Sequence, residues 1–272
     1  MTPSCTNSCV RKAMSFSAST ADLFSLATLP DAHGYGAEVL ALLTLLRRAD
    51  RAESAAALFR RALRMIGAES GVFLSVIKED ASHTAYRSLF ACDPLWAIEY
   101  SRPGWHDHDP WLNHALRSEE PIRSNELIVG PSEGEFVRKS SMHGFASAVV
   151  VPAPSSAGSA RVGVLSLGSS NAGFFDGENY ELVRLVARAL AMELHAWLLR
   201  VVHRDLLERS GITPEEIELL RQEEAGYTTK KIADRLGVTP KTVDRRYERV
   251  IAKLDAPDRR TAARIGRLYG LL

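Results

Sequence analysis

The sequence predicts an α+β chain: an N-terminal α/β/α sandwich built on an antiparallel sheet, followed by an all-α four-helix helix-turn-helix domain. Three observations carry that prediction. Apolar runs come in neighbouring pairs, Val72 to Ile77 with Ala85 to Ala91 and Ala146 to Pro152 with Val162 to Leu167, and helical periodicity surrounds them. From Ile212 onward the pattern is helical throughout, and successive segments open with capping residues. Basic charge is also segregated: residues 226–272 hold 12 Lys or Arg against 5 Asp or Glu, while residues 1–225 hold 22 against 28.

The elements follow in order. Val39 to Arg48 and Ala55 to Ile66 read as amphipathic helices ahead of the first strand pair. Shorter helices are expected at Leu95 to Tyr100, Trp111 to Arg117 and Glu133 to Met142. The Ser/Gly/Ala-rich stretch Pro154 to Ala160 joins the second strand pair, and Tyr180 to Val202 reads as one long helix. Strands adjacent in sequence favour antiparallel pairing over a doubly wound parallel sheet. The expected divisions are a disordered leader at 1–30, a sensor domain at 31–202, a short linker at 203–211 and a helical domain at 212–272.

In the helical domain, Thr213-Pro214-Glu215-Glu216 forms a capping box with proline at the first helical position. Ile217, Leu219, Leu220 and Ala225 supply that helix's apolar stripe, and Gly226 ends it. Thr228 caps the next helix, whose Ile232, Ala233 and Leu236 face inward; Gly237-Val238 turns the chain and Thr239-Pro240 caps a third. There Val243, Tyr247, Val250, Ile251 and Leu254 face the core, leaving Lys241, Thr242, Asp244, Arg245, Glu248 and Arg249 for a DNA major groove. Lys230, Lys231, Arg246 and Lys253 flank them as phosphate contacts. Arg259 to Leu271 completes the unit.

Composition narrows the function classes. With 272 residues and 46% hydrophobic content, the chain is long enough for two globular domains. No apolar run reaches the roughly 18 residues of a membrane helix, and Met1 to Phe16 lacks a signal-peptide core, so a cytoplasmic protein without membrane contact is expected. Cys5 and Cys9 lack further nearby ligands, and His106-Asp107-His108-Asp109 lacks a second cluster, so no metal or other cofactor is expected. A Gly-x-Ser-x-Gly elbow and a phosphate-binding Gly-rich loop are both missing, which argues against an enzyme.

The N-terminal domain carries Trp96-x3-Tyr100-x8-Asp109-Pro110. Trp96 and Tyr100 lie one helical turn apart, and the Asp-Pro step sets a carboxylate at a helix entrance. Such a group could hold an amide-bearing ligand, the phenol donating and Asp109 accepting; on spacing alone a packed core with a capping aspartate is the commoner arrangement.

Two segments resemble a known family. Thr213-x2-Glu216-x-Glu218-x-Leu220, Gly226, Ile232-Ala233, Leu236, Val238-Thr239, Thr242-Val243, Lys253-Leu254, Arg259, Ala262 and Gly270-Leu271 are similar to the LuxR-family helix-turn-helix. Lys231 and Arg246 depart from it by adding positive charge, and Asp244 and Glu248 stand near positions from which relatives reach bases with basic side chains. The Trp-Tyr-Asp-Pro spacing resembles the acyl-homoserine-lactone-binding domain of quorum-sensing LuxR-type regulators. The resemblance implies that Asp109 receives a ligand amide N–H, Tyr100 bonds the acyl carbonyl, Trp96 packs over the ligand and Ser166 also reaches the carbonyl. One short helix reads few base pairs and two related by a two-fold axis read a palindrome, so a homodimer on a palindromic operator is expected, with contacts through the long and final helices.

Departures in this domain matter more. Ser124 stands where relatives place a second tryptophan that bonds the lactone carbonyl, Ala148 replaces a usual glycine, and Trp111 replaces a smaller residue. A lost hydrogen bond costs about 0.5–1.5 kcal/mol and added bulk about 1–3 kcal/mol. A remodelled site is therefore expected, with Trp111 filling space the missing tryptophan would have used.

Overall fold

Five strands make one antiparallel sheet: β1 (Ser70–Lys78), β2 (Thr84–Ala91), β3 (Ile122–Arg123), β4 (Ser147–Ala153) and β5 (Arg161–Ser169), in the spatial order β2-β1-β5-β4-β3. This computed structural model describes residues 34–272 apart from 80–82, 103 and 179; the leader expected at 1–30, with Cys5 and Cys9, lies outside the described residues. The two expected hairpins form and join through β1 and β5, where Val72 faces Ser166 and Ile77 faces Arg161.

Side chains alternate across the sheet with period two, and both faces are covered. Phe73, Ile77, Val149, Val151, Leu165 and Leu167 point to one side, against α1 (Tyr35–Arg47), α2 (Ala52–Ile66) and α6 (Tyr180–Ser210). Val72, Leu74, Val76, Ala148, Val150, Val162 and Val164 point to the other, against α3 (Pro94–Tyr100), α4 (Pro110–Ala115) and α5 (Gly134–Ser141). The α/β/α order is as the sequence predicted. β3 was not anticipated, because two residues show no periodicity.

The long helix corrects the expected boundary. It runs for 31 residues, through the segment read as linker, because Val202 and Leu206 extend its buried stripe by one more turn. It also sets His195 on the sheet beside Gly163, where a Cβ would stand 2.8 Å from the imidazole Nδ1. Among the described residues neither ring nitrogen of His195 has a hydrogen-bond partner, and burial, reinforced by the nearby Arg161 charge, depresses its pKa to about 4.

The helical domain comprises α7 (Pro214–Glu224), α8 (Thr229–Leu236), α9 (Pro240–Leu254) and α10 (Arg259–Leu268). Each N-terminus has a side-chain cap: Thr213 accepts from Glu216 N, Thr228 from Lys231 N, Thr239 from Thr242 N and Asp258 from Thr261 N. Gly237 closes α8 in the left-handed region at φ 62°. Ala225 and Leu236, expected inside, are exposed at the ends of their helices.

Candidate ligand site and DNA-binding surface

Asp93 caps α3 and Pro94 occupies its first turn, which turns Trp96 and Tyr100 inward on one face. Asp109 caps α4: its Oδ1 accepts from Trp111 N at 2.8 Å and Leu112 N at 3.1 Å, while Oδ2 accepts from the Tyr100 hydroxyl. The carboxylate is 1% exposed. Burial pushes its pKa up to about 6, against the pull of those three donors, and burial next to Asp109 raises the Tyr100 phenol well above its ordinary value. The sequence-derived trio is thus assembled, with both carboxylate oxygens already engaged inside the chain.

Aromatic rings pack around that trio. Trp96 lies 5.5 Å from Phe136, 5.7 Å from Tyr100 and 6.0 Å from Trp105, centroid to centroid. Trp111 meets Phe136 edge-on at 4.9 Å and Phe145 at 5.2 Å. Room for Phe145 comes from Gly168, where a Cβ would stand 2.3 Å from the ring. Among the described residues two buried polar atoms at the cluster lack a hydrogen-bond partner, Trp96 Nε1 and His106 Nε2, the latter on a ring 5.1 Å from Tyr100.

The other sequence candidates are placed as follows. Ser166 is buried on β5, on the sheet face that carries Val162 and Val164. Ser124, in the turn just after β3, accepts from Ala148 N on β4 at 2.9 Å. His106 stacks on Tyr86 at 4.0 Å, and among the described residues no group of three or more His, Cys, Asp or Glu is arranged to hold a metal ion. Phe136 and Phe145 escaped sequence reasoning. A groove of about 320 Å³ lies apart from the cluster, on the outer side of α3 and α5 between Leu95, Ile98 and Met142.

On α9, Val243, Tyr247, Val250 and Leu254 are buried, and the Tyr247 hydroxyl donates to Leu219 O at 2.9 Å. Lys241, Asp244, Arg245, Glu248 and Arg249 are exposed along the opposite side, with Thr242 and Arg246 half-buried. Lys230 and Lys231 are exposed on α8, and Lys231 Nζ stands 3.9 Å over the Tyr227 ring. Lys253, read from sequence as a phosphate contact, is engaged elsewhere: it donates to Glu216 at 2.7 Å and to Gly211 O at 2.9 Å. Lys253→Ala should cost about 1–2 kcal/mol in a denaturant titration, between an exposed and a fully buried pair. A parent-like midpoint would show the pair to be dispensable.

An α/β/α domain continued by one helix into a helix-turn-helix unit with an outward cationic helix defines a class: a DNA-binding transcription regulator with an attached sensor-type domain. Residues 46–198 match the autoinducer binding domain and residues 210–265 match the bacterial regulatory proteins of the luxR family, so the chain belongs to the LuxR-type regulators, which are not enzymes. Escherichia coli SdiA is similar in fold, with TM-score 0.69 and 18% identity over 87% of this chain and 98% of that one. SdiA in complex with octanoyl-rac-glycerol gives TM-score 0.68 at 18% identity over 87% and 96%. CepR2 from Burkholderia cenocepacia, described as N-acylhomoserine lactone dependent, gives 0.50 at 20% over 60% and 95%. No curated protein matches the chain.

Proposed function

We propose that this regulator works in the cytoplasm as a homodimer on a palindromic duplex and responds to a small carbonyl-bearing signal of the acyl-homoserine-lactone kind, held at Trp96, Tyr100 and Asp109. The observation that carries the ligand reading is the buried Trp96 Nε1, which has no acceptor among the described residues. A buried donor left unpaired costs about 1–3 kcal/mol, which a ligand carbonyl would recover. Ser124, placed where relatives carry a lactone-bonding tryptophan, favours an acyl ligand held without that contact, and one of the similar structures contains an acyl glycerol. No described helix is long and apolar enough to cross a membrane.

A homodimer follows from need, since one short helix reads few base pairs and a two-fold axis doubles the site. Leu185 and Met192, two turns apart and exposed on α6, offer a face for the second copy. The final helix, also proposed for this role, buries Ala262, Ala263, Ile265 and Leu268 within its own chain and keeps Arg260, Arg264 and Arg267 exposed. DNA contact is assigned to Lys241, Thr242, Asp244, Arg245, Arg246, Glu248 and Arg249, with Lys230 and Lys231 beside them. Arg245→Ala or Arg249→Ala should weaken binding to a duplex selected from a random pool by about 1–3 kcal/mol, read by fluorescence anisotropy. Unchanged affinity in both variants removes them from the interface.

The Trp111, Phe136 and Phe145 contacts favour a second reading, in which the domain is filled by its own rings and binds no lactone. Thermal melts of the full chain with acyl-homoserine lactones of graded length, and with an acyl glycerol, separate the two. A rise in Tm with any of them supports the receptor; no rise with all of them leaves the self-filled domain.

A further inference from the structure

Arg161 begins β5, is 6% exposed, and among the described residues no carboxylate shifts its pKa, which burial and the nearby Arg267 lower. Its guanidinium donates across the domain boundary instead, at the C-terminal end of α10, to Leu268 O at 2.6 Å and at 3.5 Å to Arg267 O, which also accepts from Gly270 N. A cation there meets the hydrogen-bonding need of Leu268 O and the negative end of the helix dipole. Other bonds surround it: Arg264 donates to Lys78 O at 3.1 Å, the Tyr269 hydroxyl donates to Glu79, and His203 donates to Gly270 O at 2.9 Å. Leu268, Tyr269 and Leu271 join the same apolar core as Leu198, Val202 and Ile77.

We propose that Arg161 is a positioning residue for DNA binding: by clamping the end of α10 to the sheet it sets the angle at which α9 is presented. The proposal rests on the DNA-binding reading above. Its place in the sheet gives it a route to the ligand site, because Arg161 and Ser166 lie on one strand and face opposite sides. Anything that moves β5 from the aromatic side moves the clamp on the other. α9 itself stays uncovered in this arrangement, so the contact orients the domain and does not mask it.

The test uses the full chain. In Arg161→Ala, amide hydrogen exchange at residues 259–272 should rise at least about tenfold while β1, β4 and β5 keep their rates, and Arg161→Lys should restore part of the protection. Exchange at parent rate, or rising only in step with the strands, overturns the clamp. Should Arg161→Ala fail to fold, Arg264→Ala decides in the same way, with a smaller rise expected. On a selected palindrome, one base pair inserted between half-sites should weaken the parent by about tenfold and Arg161→Ala by less than about threefold. Equal losses in both overturn the orienting role even if α10 has loosened. A parent that binds no duplex refutes the DNA reading and leaves the exchange result standing.

Discussion

Trp111→Ala is expected to destabilise the protein by about 3–5 kcal/mol, the range for removing a large ring from a packed core. The reason is its place between Phe136 and Phe145, at 3% exposure on the second turn-forming position of α4. Neither neighbour can close the gap easily, since Phe145 is seated on Gly168 and Phe136 is fully buried. The variant should therefore contain an apolar hole and bind small aromatic molecules such as indole, with a Tm that rises on their addition where the parent's does not. If lactones also stabilise the variant and not the parent, Trp111 is what excludes them. A parent-like denaturation midpoint would refute the packing described here.

The second large effect concerns pH. Asp109 has a folded pKa raised to about 6, so its contribution to stability is present below the ordinary carboxylate value near 4 and is lost as pH rises through 6. His195 has a folded pKa lowered to about 4, so its contribution is present above about 6.5 and is lost as pH falls toward 4. The two slopes oppose each other across the same window, each worth about 3 kcal/mol. Asp109→Asn keeps the shape and the acceptor for Trp111 N and Leu112 N, leaving the His195 slope alone. That variant should lose stability on acidification from pH 6.5 to 4, relative to the parent, by about this amount. His195→Leu should do the reverse. Groups common to all three proteins cancel in the differences, and parallel stability curves for parent and both variants would rule out these titrations.

The fold was legible where pattern and pairing coincide. Val72, Leu74 and Val76 alternate with Phe73 and Ile77, and two such runs close in sequence can pair only as hairpins. The capping threonines at 213, 228 and 239 named the helix starts because a hydroxyl three residues before a backbone N–H is a local feature. The end of α6 was harder to see: His203 to Arg209 is polar enough to read as linker, and only the pair Leu206 and Leu207 keeps the helix against the core. Within the candidate site, Trp96, Tyr100 and Asp109 were found through their spacing. Phe136 and Phe145 were not, because they arrive from α5 and the approach to β4, and only the tertiary fold tells which rings meet. Lys253 shows the same limit from the other side. Its charge was visible in the sequence, but Glu216, thirty-seven residues away, decides where it points.

The uninterrupted run from Tyr180 to Ser210 has a mechanical consequence. At about 1.5 Å per residue it is a strut roughly 46 Å long, rooted against the sheet at one end and carrying the DNA-contacting unit at the other. A tilt of about 5° at the root would sweep the far tip through about 4 Å, more than the roughly 3.4 Å by which successive phosphates on one strand advance along the helix axis. Disturbances too small to alter the packing of the rings can thus be magnified into a shift of one step along the double helix.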